Sequence, residues 1–213
     1  MRPDLTLTPS MPPLVAILRG LAPAEAGAVG GVLLEAGLRI LEVPLNRPGA
    51  LECIAILARL APEGVLIGGG TMLSVADVDA VHAAGGRLLV APNCNTAVIA
   101  HAAALGMYCA PGVATPTEAF AALEAGAHAL KIFPADMVGQ AGLRTLISVL
   151  PAGTPVWPVG GVAPEDMAGW RRAGATGFGI GSQLYQPGVT LEVLAQRARQ
   201  FVDTWNAGEE KQA

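Results

Sequence analysis

The chain has 213 residues, a formal net charge of -4, and 52% hydrophobic against 14% charged residues. That length suits one domain with one sizeable core, and the composition excludes a disordered chain. The absence of any basic block excludes the clustered Lys and Arg that nucleic-acid backbones require.

Three cysteines, Cys53, Cys94 and Cys109, stand far apart with no metal-ligand spacing. A sparse, odd set fits a reducing cytoplasm rather than a disulfide framework. The N-terminal MRPDLTLTPSMPP has no apolar stretch of a secretory signal,. The other apolar runs are too often broken by Gly or Pro to span a membrane. The expectation is a cytoplasmic protein with neither membrane nor nucleic acid as partner.

In chain order, the first apolar run is LVAILRG, residues 14–20. After it, stretches rich in Ala and Leu repeatedly reach a glycine, and a short apolar run follows. These glycines are Gly37, Gly64, Gly85, Gly106, Gly126, Gly153 and Gly174, at intervals of 27, 21, 21, 20, 27 and 21 residues. The physical reading is a helix closed by a left-handed glycine, then a buried strand. Later strands are expected near 39–45, 65–71, 88–92, 107–112, 129–134, 155–160 and 177–182. Their nearly continuous apolar character suits parallel strands covered on both faces. Helix starts are marked at Thr117-Glu118 after Pro116 and at Glu165-Asp166 after Pro164,. Eight such units with no linker predict an α/β fold, a (β/α)8 TIM barrel, as one domain over residues 1–213. A doubly wound open sheet is the rival, but no GxGxxG follows the first strand.

Barrel chemistry gathers at the strand C-termini. Lys131, in ALKIFP, is one of only two lysines beside eleven arginines. A lysine in an apolar strand pays a desolvation cost that favours its neutral form, which is the form that attacks a ketone. Glu42, in RILEVPL, is a second ionisable group in an apolar strand, suited to shuttle protons beside an amine,. The plain alternative is a structural salt bridge between the two.

Gly160-Gly161 and Gly181-Ser182 end the last two strands and predict a phosphate site, assisted by helix N-termini after them,. Ordinary tight turns are the alternative. Gly69-Gly70-Thr71 offers donors for a carboxylate. Arg19 is a cation for carboxylate or phosphate, or a charge acting on Glu42 and Lys131, or one half of a rim salt bridge. Phe133 and Pro92 either wall the pocket or belong to the core. His82, His101 and His128 fall away from the strand C-termini. Asp136 is the only acidic extra nearby, and no metal cluster stands out. Nothing marks Cys94 as a nucleophile.

The motifs AILRG, LEVPLNRP, GGGT, APN, ALKIFPA, VGGV and GIGSQLY stand in an order that resembles the bacterial 2-keto-3-deoxy-6-phosphogluconate and 2-keto-3-deoxy-6-phosphogalactonate aldolases over nearly the whole length. The resemblance implies a class I aldolase, an aldehyde-lyase with no cofactor and no metal. Lys131 would form the Schiff base and Glu42 would move protons. Arg19, Thr71, Gly161 and Ser182 would contact substrate, and Pro92 and Phe133 would line the pyruvate pocket. It also implies a homotrimer and a phosphorylated keto-deoxy sugar acid as the partner. Asn46, in EVPLN, and Val159, in PVGGV, resemble the galactonate branch, whereas the gluconate branch has an arginine and a threonine there. Activity on the gluconate epimer, or on both, is the near rival. A phosphate-barrel isomerase or synthase and a non-catalytic phosphosugar-binding barrel are the distant ones.

Overall fold

The computed structural model describes residues 12–209, so the N-terminal stretch that lacks a secretory signal falls, up to residue 11, outside the described residues. Strand segments and helices alternate: β1 (Leu14–Ile17), α1 (Pro23–Glu35), β2 (Ile40–Pro44), α2 (Ala50–Leu60), β3 (Leu66–Gly70), α3 (Val75–Ala83), β4 (Leu88–Val90), α4 (Thr96–Ala104), β5 (Tyr108–Ala110), β6 (Gly112–Val113), α5 (Pro116–Glu124), β7 (Leu130–Ile132), α6 (Ala135–Ile147), β8 (Val156–Pro158), α7 (Pro164–Arg172), β9 (Phe178–Ile180) and α8 (Leu191–Glu209). The strands are shorter than the sequence predicts, because their last residues leave the ladder to build the mouth.

Pairing is parallel throughout, in the order β5-β4-β3-β2-β1-β9 and β6-β7-β8. β5 and β6 are one wall of the ring interrupted at Pro111, whose ring nitrogen has no hydrogen to donate. The adjoining strand still uses the whole wall. Backbone N–H groups of Ala129, Lys131 and Phe133 donate to the carbonyls of Cys109, Pro111 and Val113 at 3.2, 2.9 and 3.2 Å. On the other side a parallel bridge between Val159 and Gly179 closes the ring. The result is the eight-walled (β/α)8 barrel.

Alternation along the strands sorts the core into two layers. Leu14, Ala16 and Leu18, with Leu41, Val43, Ile67, Leu89, Cys109, Leu130, Ile132 and Phe178, pack outward against the helices. Val15, Ile17, Ile40, Leu66, Leu88, Val90, Tyr108, Ala110, Ala129, Trp157 and Val159 fill the barrel interior.

All seven punctuating glycines have positive φ, between 75° at Gly106 and 104° at Gly174. Five of them close a helix in the expected way. At Gly126, for instance, its own N–H donates to Leu123 and that of Ala127 reaches back to Ala122, both at 3.0–3.1 Å,. Gly64 and Gly153 differ. Their helices stop earlier, at Leu60 and Ile147, and turns at Pro62 and Pro151 carry the chain onward. This accounts for the two longer intervals. Start signals hold: Thr115 caps α5 reciprocally with Glu118, and the Asp166 carboxylate accepts from Ala163 N–H ahead of α7,. No helix among the described residues is long and apolar enough to cross a membrane.

Gly126 has φ 103°, and an added Cβ would lie 3.0 Å from Ala103 Cβ. Gly126→Ala should therefore cost about 1–2 kcal/mol, seen in a thermal melt as a fall of roughly 2–4 °C per kcal/mol.

Candidate active site

Strand parity decides where the two ionisable strand residues go. Glu42 has the parity of Ile40 on β2, and Lys131 that of Ala129 on β7, so both side chains enter the barrel. Following the pairing order around the ring, β2 and β7 lie on opposite walls. Glu42 and Lys131 are the only buried charged residues among those described, at 2% and 7% exposure.

Their environment is dry but not that of a closed ion pair. His101–Asp79, at 2.7 Å on the surface, is the one salt bridge among the described residues. Glu42 Oε2 is buried and accepts no hydrogen bond there. Gly70 leaves the space that the carboxylate fills, since a Cβ at that position would collide with Glu42 Oε1. Burial pushes the Glu42 carboxyl above its ordinary range, against the opposing pull of Lys131 and Arg19,. Burial likewise pushes the Lys131 ammonium down; Glu42 opposes this and Arg19 reinforces it,. The plain salt-bridge alternative thus lacks its contact. What remains is an amine and a carboxyl each moved toward neutrality.

At the strand C-termini a cavity of about 300 Å³ is lined among others by Arg19, Phe133, Gly160, Gly161, Gly181 and Ser182, while Glu42, Lys131, Thr71 and Pro92 do not line it. The closing bridge at Val159–Gly179 sets the two glycine pairs side by side at the mouth. Gly160 and Gly161 have φ of 119° and 68°, backbone conformations that favour glycine, so the sharp turn after β8 depends on both,. α7 begins at Pro164, just beyond, with its N-terminus toward the mouth,. One expectation needs correcting: no helix follows Gly181-Ser182 directly. A turn does, with Leu184 and Tyr185 N–H both donating to Gly181 O, and α8 starts only at Leu191.

Arg19 lines the same cavity as the glycine pairs, and its charge also acts on Glu42 and Lys131. The loop at Pro187 closes over Gly20, where a Cβ would lie 3.1 Å from Pro187 Cγ. Sequence reasoning missed Gln183, Tyr185 and Gln186, which also line this cavity. Gln186 Nε2 donates to Ser182 O at 3.0 Å and braces the turn. The signal was the polar run GSQLYQ immediately after the strand.

Phe133 links the two regions. Its ring centroid is 4.9 Å from Lys131 Nζ, and it also lines the cavity. Pro92 passes against Gly112, the register neighbour of Lys131; a Cβ at Gly112 would strike the Pro92 carbonyl. Thr71, immediately after β3, has φ 55°, a conformation that a β-branched residue rarely adopts and that concentrates at ligand sites,. Val159 lines the cavity, whereas Asn46 is exposed in the turn after β2. The histidines stay away from the mouth: His101 pairs with Asp79, and His128 Nδ1 accepts from Cys109 N–H at 3.1 Å. Asp136 only accepts from its neighbour Met137 N–H. Among the described residues no group of three His, Cys, Asp or Glu could hold a metal ion. Burial raises the Cys94 thiol.

Fold and site together define a (β/α)8 barrel with an amine-bearing interior and a glycine-lined mouth. A family model described as KDPG and KHG aldolase matches residues 10–196. The chain is 46% identical over 194 residues to a probable 2-dehydro-3-deoxy-6-phosphogalactonate aldolase of Rhizobium meliloti (strain 1021), covering 91% of this chain and 92% of that protein. It is 46% identical over 193 residues to the 2-dehydro-3-deoxy-6-phosphogalactonate aldolase of Escherichia coli (strain K12), covering 91% and 94%. A solved structure described as native KDPGal matches with a TM-score of 0.91 and 44% identity, covering 93% of this chain and 96% of that chain. The chain belongs to the KDPG and KHG aldolase family.

Because the folded state raises the Glu42 pKa, it holds that proton more tightly than the unfolded chain does. The ionised carboxyl therefore weakens the fold at neutral pH, and this penalty fades as pH falls through the raised folded value and is gone below the ordinary 4.5,. Glu42→Gln should raise the melting temperature at pH 7–8, by roughly 2–4 °C for each kcal/mol relieved. Melts in a pH series should show the gain shrinking toward pH 4.

Proposed function

We propose that this chain is a class I aldolase that reversibly cleaves 2-dehydro-3-deoxy-6-phospho-D-galactonate to pyruvate and D-glyceraldehyde 3-phosphate. The observation that carries the reading is the pair of buried ionisable groups on opposite walls of a barrel whose mouth is lined by Arg19 and two glycine pairs.

The neutral Lys131 amine attacks the C2 ketone of the substrate and gives a carbinolamine. Glu42 delivers the proton with which its hydroxyl leaves as water, and a protonated imine remains. Glu42, now ionised, accepts the C4 hydroxyl proton, directly or through a water. The C3–C4 bond breaks, C4 becomes the aldehyde, and the bonding pair flows through C3–C2 to the imine nitrogen. Glyceraldehyde 3-phosphate departs, and the enamine takes a proton at C3. Water then adds to the pyruvate imine and releases pyruvate and the amine. The raised carboxyl pKa suits a group that must both give and take a proton near neutral pH.

The phosphate lies on Gly160, Gly161, Gly181 and Ser182, with Arg19 as counter-charge. Thr71 holds the carboxylate, and Pro92 and Phe133 wall the pyruvate portion. Two relatives named for the galactonate substrate support that epimer, as does an apolar Val159 at the cavity wall. The assembly is a homotrimer. Exposed Met137 and Val149, flanking an apolar groove on α6, support an oligomer, and three unpaired cysteines support a reducing cytoplasm.

Borohydride reduction in the presence of pyruvate should add a lactyl group to the peptide carrying Lys131. Lys131→Arg should give no adduct and at least about a thousandfold loss of kcat, as expected when a covalent nucleophile is removed. An unmodified wild-type peptide, under conditions that label a control aldolase, would overturn the reading. A substantial activity in Lys131→Arg would instead favour an isomerase or synthase.

The two purified C4 epimers should differ in kcat/KM in favour of the galactonate form, and equal values would make the enzyme dual. Ser182→Ala should raise KM about tenfold to a hundredfold, the worth of one hydrogen bond to a charged group, with kcat nearly unchanged.

A further inference from the structure

We infer that Trp157 is a positioning residue for the lysine: its indole forms an apolar floor beneath Lys131 that keeps water from the amine. The inference rests on Lys131 being the Schiff-base residue and concerns what maintains it as a nucleophile.

Lys131 and Trp157 are register partners on adjacent parallel strands, and both side chains enter the barrel. They then lean in opposite directions. Lys131 Nζ reaches toward Phe133 at the strand C-termini. The indole leans toward the strand N-termini, where Gly177 makes room for it; a Cβ there would lie 2.7 Å from Trp157 Cδ1 and 2.8 Å from Nε1. Trp157 stacks on Tyr108 with centroids 5.7 Å apart and planes within 4°, and Tyr108 stacks on His128 at 4.9 Å. This three-ring layer occupies the lower interior, and Trp157 is only 2% exposed. Indole Nε1 has no hydrogen-bond partner among the described residues, so nothing polar is organised around it.

The charges that face Lys131 are few. Glu42 approaches from β2 and Arg19 from the end of β1. Its register partners on the flanking strands, Gly112 and Trp157, bring no charge. Below lie Tyr108, whose hydroxyl burial holds in the protonated form, and His128. Burial is the largest influence on the Lys131 ammonium, and the large buried side chain beside it in register is the indole. Removing that surface admits water, restores hydration of the ammonium and lowers the neutral fraction.

The test measures the rate of borohydride trapping with pyruvate, and of turnover, across pH 5–10 for the wild type, Trp157→Phe, Trp157→Leu and Trp157→Ala. Circular dichroism and thermal melts identify the variants that fold. The midpoint for amine deprotonation should move upward, most in Trp157→Ala and least in Trp157→Phe. A shift of about one unit would slow trapping at pH 7 by roughly tenfold, with recovery toward pH 10. A merely structural tryptophan would lower the rate equally at every pH. Folded variants with an unmoved midpoint would overturn the inference, and Trp157→Phe and Trp157→Leu decide it if Trp157→Ala does not fold. Failure of the wild type itself to trap pyruvate would instead remove the Schiff-base reading on which it rests.

Discussion

The amine of Lys131 and the carboxyl of Glu42 share one dry interior without a direct ion pair, and most of the molecule serves that separation. In water each would be charged and unreactive. Joined as a tight salt bridge, each would hold the other in its charged form. Held apart on opposite walls, each is moved toward neutrality by burial and pulled back only partly by the other's charge. Burial thus moves each group in the direction that proton exchange during carbon–carbon cleavage demands,.

The closed ring is what makes this separation possible. An open sheet would have placed two residues from strands so far apart in sequence on one face, side by side or beyond reach. Curling the sheet brings β2 and β7 to face each other across the axis. Side chains without volume are as important here as those with it. Gly70 gives Glu42 its room, and Gly177 gives Trp157 its tilt. The interior is therefore packed below the reacting groups and open above them, toward the Gly160-Gly161 and Gly181-Ser182 mouth.

Much of this was legible in the sequence because barrel geometry repeats. A glycine about every 21 residues fixes strand order, and strand order with parity fixes which residues face inward. Lys131 and Glu42 stood out because a charged residue in an apolar strand is expensive anywhere but at a working site. What the sequence left open follows from spatial rather than sequential neighbourhood. The two longer intervals concealed proline turns at Pro62 and Pro151. The turn after Ser182 was misjudged although Pro187-Gly188, a helix-breaking pair, stands only a few residues on,. The Trp157–Tyr108–His128 stack joins three strands' worth of sequence and has no linear signature. The positive φ of Thr71 could not be read at all, since a threonine is the wrong residue from which to guess it.

The ring is not equally sewn all the way round. Between β8 and β9 the backbone ladder thins to the Val159–Gly179 bridge, aided by Thr176, whose N–H donates to Val156 O and whose hydroxyl accepts from Val156 N–H. That thin stitch runs directly beneath the two glycine pairs. An anion gripping both pairs would tie the last two strands, β8 and β9, together across the gap. Any ligand that favours the closed ring over the opened one deepens the free energy of closure in proportion to the logarithm of its concentration. The substrate's phosphate would then be a fastener as well as a handle, tightening the hoop whenever the site is filled and letting it relax on release.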